Sequence, residues 1–300
     1  MARRMSLVLR CMLASALALA AAAARAEIRL VDDNGQTVVL AAPARRIVSL
    51  APHVTELLFA AGAGERIVGT VEYSDHPEAA KRIPRVGGLL ALDLERILAL
   101  KPDVLVLWLH GSAQRQLDAL RGLGLALYYD EPRSLAGIAR SLRALGRLAG
   151  TEEAAERAAR EFEARVAALR ARYAHRAPVR VFYQVWQKPL MTVNGAHLIS
   201  DVIRLCGGEN VFAGERPLVP VLATEAVIAA DPEAIGTGVF PGEIGDGLDE
   251  WRRWPRLAAA ARGNLFAIPT ELISRHAPRI VEGAALMCEA LERARRNRGR

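Results

Sequence analysis

Short apolar runs alternate with helical stretches along most of the chain. Arg46-Ile47-Val48-Ser49-Leu50 predicts a buried strand. Pro52 then stands where a helix starts, and Val54, Leu57, Leu58 and Ala61 recur at helical spacing until Gly62 stops them. Residues 67–71 predict a second strand, 104–108 a third and 125–129 a fourth. A short helix over 94–100 ends at Lys101-Pro102. Strands that alternate with helices imply a mostly parallel α/β sheet.

The second half repeats this order. Residues 179–186 predict a strand, 198–205 a helix ended by Gly207-Gly208, and 224–230 a short helix ended by Asp231-Pro232. Strands over 234–240 and 265–268 and a closing helix over 280–292 follow. One register ties the halves together. Glu95-Arg96-Ile97-Leu98-Ala99-Leu100-Lys101-Pro102-Asp103 aligns with Glu225-Ala226-Val227-Ile228-Ala229-Ala230-Asp231-Pro232-Glu233. Each copy opens a short helix on a Glu and closes it at a Pro seven residues later. Such a repeat implies two related lobes with one equivalent Glu apiece.

Between the halves, residues 151–175 hold Ala, Glu and Arg throughout, with neither Gly nor Pro. Ala155, Ala158, Phe162, Val166 and Leu169 lie at helical spacing, and Thr151 with Glu153 and Glu156 makes a helix start. A single helix of roughly 36 Å is a stiff connector, so only small lobe movements are expected. The fold class is therefore α/β: two Rossmann-like lobes with parallel sheets joined by one long backbone helix. The expected division is 1–26 targeting segment, 27–150 first lobe, 151–177 backbone helix and 178–300 second lobe.

The first 26 residues carry Arg3 and Arg4, an apolar stretch over 12–24, and Ala24-Arg25-Ala26 in the small-x-small pattern of a signal-peptidase site. The apolar run is shorter than the ~20 residues a spanning helix needs. Cleavage at Glu27 would remove four arginines and no acid, taking the net charge from +7 to +3. No basic stripe is interleaved with aromatics, so nothing points to nucleic acid. Cys11 would leave as well, and Cys206 with Cys288 then make an even pair in an exported chain. That pattern favours a disulfide over a metal site, the alternative being two separate buried thiols. The bridge would close about 80 residues, worth about 4 kcal/mol in the chain-entropy model.

Ligands bind α/β sheets at the carboxyl ends of the strands, and two facing lobes bring both sets of ends to one cleft. Aromatics collect at these ends: Tyr73, Trp108, Trp186 and Phe240. Aromatics make up only 5% of the chain, so the placement suggests a large, flat, partly apolar ligand. The chain lacks G-x-S-x-G, a Walker A loop and H-E-x-x-H, which argues against an enzyme. Its six histidines are scattered; His53, His110 and His276 could reach the cleft, yet they assemble no metal-ligand set.

Several segments resemble the periplasmic binding proteins whose lobes are joined by a backbone helix. They are Arg46-Ile47-Val48-Ser49-Leu50-Ala51-Pro52 with Thr55-Glu56, Tyr73-Ser74-Asp75-His76-Pro77, and residues 94–103. Asn194-Gly195, Cys206-Gly207-Gly208-Glu209-Asn210-Val211-Phe212 and Ala277-Pro278-Arg279-Ile280 continue the likeness over nearly the whole chain after residue 26. Among subfamilies it is most similar to the cobalamin carriers. The resemblance implies that Tyr73 and Trp108 contact a corrin and that Cys206 and Cys288 are bonded. It implies that Glu95 and Glu225 dock onto arginines of a two-fold symmetric ABC permease, driven by its ATPase. The carrier would be a periplasmic monomer that holds a transported corrinoid and no cofactor of its own. Two family tryptophans are replaced, by Leu89 and by Val219, with Trp186 as a compensating aromatic and Arg275 at a polar pocket position. Cobinamide or another corrinoid would fit these departures. Haem, a ferric siderophore, or service as a sensor or accessory module are the alternatives.

Overall fold

The computed structural model describes residues 27–88, 91–108, 114–240, 242 and 245–299. The predicted targeting segment, Leu89 and His110 lie outside the described residues. The first lobe opens with an antiparallel hairpin, β1 (Ile28–Val31) and β2 (Thr37–Leu40), which the sequence pattern did not predict. Then come β3 (Ile47–Ser49), α1 (Pro52–Ala60), β4 (Ile67–Thr70), α2 (Leu94–Ala99), β5 (Val104–Leu107), α3 (Gln114–Arg121) and β6 (Leu127–Tyr129). The four strands β3 to β6 form one parallel sheet in the order β4-β3-β5-β6. β5 is buried along its whole length, as a strand covered on both faces must be.

Two helices follow, α4 (Leu135–Ala149) and α5 (Glu152–Tyr173). The Ser134 hydroxyl caps α4 by accepting from the Gly137 amide at 3.0 Å, and Gly150 ends it at φ 66°. Gly146 lets α5 pack closely, because a Cβ there would lie 2.2 Å from the Ala155 Cβ. Arg143 on α4 bonds Glu156 and Glu163 on α5, each at 2.7 Å. Of the predicted α5 stripe, Ala155, Phe162 and Val166 are buried, while Ala158 and Leu169 pack partly buried against the same core.

The second lobe consists of β7 (Val179–Gln184), α6 (Leu198–Leu205), β8 (Gly208–Asn210), α7 (Thr224–Ala230), β9 (Ala234–Val239), α8 (Asp249–Arg252), α9 (Ala258–Ala261), β10 (Leu265–Pro269), α10 (Thr270–Ile273) and α11 (Ile280–Arg296). Its strands are parallel in the order β8-β7-β9-β10. Matched strand by strand, this is the order of the first lobe. The repeat extends to the backbone: Lys101 after α2 and Asp231 after α7 both take left-handed φ, 45° and 38°. Ile97 and Val227 are the fully buried anchors of those two helices.

One apolar core runs from α1 and the inner face of the first sheet, through α4 and α5, to β7, α6 and α11 of the second lobe. The outer face of each sheet has its own smaller core, around Leu105 and Leu107 in one lobe and Phe182 and Trp251 in the other. A shared close-packed core resists sliding, so the lobes are coupled through more than the connector helix. Cys206 and Cys288 form a disulfide that fastens the end of α6 to α11.

Candidate ligand-binding cleft

The end of β4 shows how a side chain is aimed outward. Four buried hydroxyls form a chain: Ser49 to Thr55 at 2.8 Å, Thr55 to Thr70 at 2.7 Å, and Thr55 to Ser74 at 3.2 Å. They link the end of β3, the first turn of α1 and the end of β4. Ser74 is thereby fixed, and Arg85 bonds both the Ser74 carbonyl and the Asp75 carboxylate at 3.1 Å. Tyr73, one residue earlier, adopts φ 62° and is 71% exposed. A left-handed backbone at a bulky residue needs this kind of support. The anchored loop thus holds the Tyr73 ring out into solvent at the strand end.

The other predicted residues lie at different depths. Trp108 follows β5 and is half-buried, in edge contact with His53 at 5.4 Å between ring centroids. Trp186 lies two residues beyond β7, not at its end, because the strand stops at Gln184. The Trp186 ring is 53% exposed and donates from Nε1 to the Lys188 carbonyl at 3.0 Å. Phe240 follows β9 and is half exposed, and Val219 is half-buried. Arg275 is turned to a task the sequence did not reveal. It donates to the Glu56 carboxylate at 3.0 Å, and Arg279 adds bonds of 2.8 and 3.0 Å. Glu56 belongs to the first lobe and both arginines to the second, so this cluster spans the lobe boundary.

Beside that cluster lies a row of rings. His276 contacts His53 at 5.7 Å, Trp108 at 5.8 Å and His197 at 5.8 Å between centroids. His53 and His276 are almost wholly buried. Burial lowers His53 from 6.5 to about 3, with the neighbouring His276 adding to it. Burial likewise brings His197 to about 3 and His276 to about 4, the latter against a hydrogen bond to the Pro132 carbonyl. The row is therefore neutral at neutral pH. His197 was not among the histidines expected to reach this region. It caps α6, its Nδ1 accepting from the Ile199 amide at 3.1 Å. Among the described residues no group of three or more His, Cys, Asp or Glu is placed to hold a metal ion.

Glu95 and Glu225 sit exposed in the first turns of α2 and α7, one on each lobe. A hollow of about 630 Å³ lined by Arg45, Arg46 and Arg66 lies at the opposite end of the first sheet, by the starts of β3 and β5. It is remote from the rings and strand ends just described.

Two matched parallel-sheet lobes joined by a stiff helical connector define the architecture of a two-lobed solute-binding protein. The chain belongs to the periplasmic binding protein family, whose model matches residues 47–272. It is 36% identical over 255 residues to a vitamin B12-binding protein of Vibrio cholerae serotype O1, covering 85% of this chain and 91% of that one. Its fold matches the crystal structure of the periplasmic vitamin B12 binding protein BtuF of Vibrio cholerae with a TM-score of 0.76 at 34% identity, over 84% of this chain and 98% of that one. The fold also matches the periplasmic heme-binding protein RhuT from Roseiflexus sp. RS-1, with a TM-score of 0.70 at 26% identity, over 83% of this chain and 99% of that one.

Proposed function

We propose that the chain is a periplasmic carrier that takes up cobalamin or a related corrinoid and hands it to an ABC importer. The observation that supports this most is the neutral cluster of rings at the lobe boundary of a chain with 36% identity to a vitamin B12-binding protein over 85% of its length. A corrin ring is broad, flat and partly apolar, and rigid aromatic faces bind such a surface with little entropy loss. Tyr73 and Trp108 take the ring faces, and Trp186 compensates for the family tryptophans that Leu89 and Val219 replace. Arg275 keeps donors beyond its bond to Glu56 for the amide oxygens at the ring edge. Glu95 and Glu225 meet arginines on a two-fold symmetric permease, one per lobe, and the permease's ATPase drives release. The carrier works as a monomer with no cofactor of its own.

Calorimetric titration of the protein from Glu27 onward with cyanocobalamin tests the assignment. Binding at micromolar ligand or tighter supports it. Neither heat nor a thermal shift at high micromolar ligand overturns it. The imidazoles packed at the lobe boundary favour haem as the second reading, since the likeness extends to a heme-binding protein. A Soret band shifting on titration would select haem.

A further inference from the structure

We propose that the seam between the lobes is an acid-sensitive latch, in which protonation of the His53–His276–His197 row parts the lobes and releases the ligand. The release step rests on the cleft being the ligand site, whereas the parting of the lobes does not. The row belongs to the lobe contact itself. His53 stands on α1 and Trp108 after β5 in the first lobe, while His276 and His197 belong to the second. The His53–His276 and Trp108–His276 contacts therefore cross the boundary. So do the bonds from Arg275 and Arg279 to Glu56, and the bond from the Leu135 amide to the Asp201 carboxylate at 2.8 Å.

Among the described residues, the surrounding charges leave an imidazolium without a carboxylate to receive it. From α1, Glu56 is already shared by two guanidiniums. From the segment after β6 come Asp130, Glu131 and Arg133. Burial raises Asp130 to about 7, against its bond to Ser141, so this carboxyl takes up its own proton as acid is added. Glu131 lies 3.6 Å from Arg133, and Arg133 disfavours charge on His197. From α6, Asp201 is bonded to Arg204 at 3.1 Å as well as to Leu135. From the α10–α11 segment, Arg275 disfavours charge on His53. Exposed His76, on the loop after β4, senses Arg279, Glu56, Arg275 and Glu282.

Two atoms give the row its sensitivity. Among the described residues, His276 Nδ1 is buried without a hydrogen-bond partner. A proton there would be a buried donor with no acceptor, which is costly. His197 Nδ1 is the acceptor that caps α6, and protonation turns it into a donor and uncaps the helix. All three rings have folded values below the ordinary 6.5, so the closed seam binds fewer protons than the open one. The three rings' contribution to its stability is complete above about pH 6.5 and is lost progressively as pH falls toward 3–4, offset only in part by the single buried Asp130 carboxyl, whose raised value favours the closed seam in acid.

The test places spin labels on cysteines introduced at exposed Glu78 and Asp249, one in each lobe, and reads their separation without ligand at pH 7.5 and 4.5. In the parent protein the distances should lengthen and broaden at pH 4.5. In His276→Gln, and more so in His53→Gln with His276→Gln, they should stay close to the neutral values. Cyanocobalamin affinity should fall tenfold or more over the same interval in the parent protein and less in the variants. An unchanged distance at pH 4.5, or an equal acid response in the variants, overturns the latch. Should the variants fail to fold, proton NMR of the unsubstituted protein decides: imidazole midpoints at or above pH 6 for all three rings overturn it. Failure of cyanocobalamin to bind at pH 7.5 would count against the corrinoid reading alone, because the distances are read without ligand.

Discussion

Arg46 and Arg180 close the same helix end in the two lobes. Arg46 donates to the Leu100 carbonyl at 2.6 and 2.8 Å and to the Lys101 carbonyl at 3.2 Å, at the end of α2. Arg180 donates to the Ala230 carbonyl and, at 3.2 Å, to the Asp231 carbonyl, at the end of α7. The carboxylates match too: Asp103 accepts the Arg46 amide at 2.9 Å, and Glu233 accepts the Arg180 amide at 3.1 Å. Both helices carry the paired glutamates, and both end in carbonyls that lack helical partners. A guanidinium satisfies them and complements the helix dipole. Replacing either arginine with Ala should lower stability by about 1 kcal/mol, since both are exposed. The two losses should add, because the sites are in separate lobes. Urea unfolding checks this, and an unchanged midpoint in the double variant would refute it.

Glu95→Ala together with Glu225→Ala should leave cyanocobalamin affinity unchanged and stop uptake by cells that carry the permease. The glutamates are exposed and apart from the ring cluster, so the binding step does not involve them. Each exposed pair is individually weak, so their contribution lies in steering and register on the permease. Single substitutions should reduce uptake less than the pair does. Normal uptake by the double variant would remove both residues from the docking face.

Trp108→Ala should weaken corrinoid binding by about 1–3 kcal/mol, the scale of losing a buried aromatic face. The same change also removes a ring that touches both His53 and His276, so a modest stability loss accompanies it. Tyr73→Ala separates the two effects. Its ring is 71% exposed, so affinity should fall with no shift in melting temperature.

Cys206→Ala with Cys288→Ala should cost about 4 kcal/mol, because the bridge closes a separation of 82 residues in the unfolded chain. Both cysteines are fully buried, so Ala leaves no polar group stranded. Equal denaturation midpoints for parent and variant would show that the unfolded chain is restrained by other means.

Periodicity made the α/β alternation and the connector helix legible, because buried parallel strands read as short apolar runs and α5 buries a clean stripe. The Glu95 and Glu225 register exposed the duplication, since the same clamp had to be built twice. The β1–β2 hairpin escaped notice: its four-residue strands are half exposed and alternate too briefly. Short α8, α9 and α10 escaped for the same reason. Trp186 looked like part of a strand because β-type residues continue past Gln184, where the pairing ends. Glu56 and His197 were missed as seam residues because their partners come from distant segments. Arg275 and Arg279, four residues apart just before the last helix, were the available signal for a shared carboxylate.

Glu56 supports the last prediction. Its side chain is 2% exposed and accepts hydrogen bonds from Arg275 and Arg279 across the lobe boundary. Glu56→Ala would leave two guanidiniums side by side, each only about one-fifth exposed. Removing one member of a buried charge cluster usually costs more than the cluster contributes, since the remaining charges lose their compensation. Partial exposure of the arginines moderates this, so a loss of about 2–3 kcal/mol is expected. Glu56→Gln should recover only part of it, because the amide keeps one acceptor and loses the charge. Adding Arg279→Ala to Glu56→Ala should restore some stability by relieving the repulsion. A double-mutant cycle by chemical denaturation measures that coupling, and strictly additive losses would show that the three side chains are held apart by solvent.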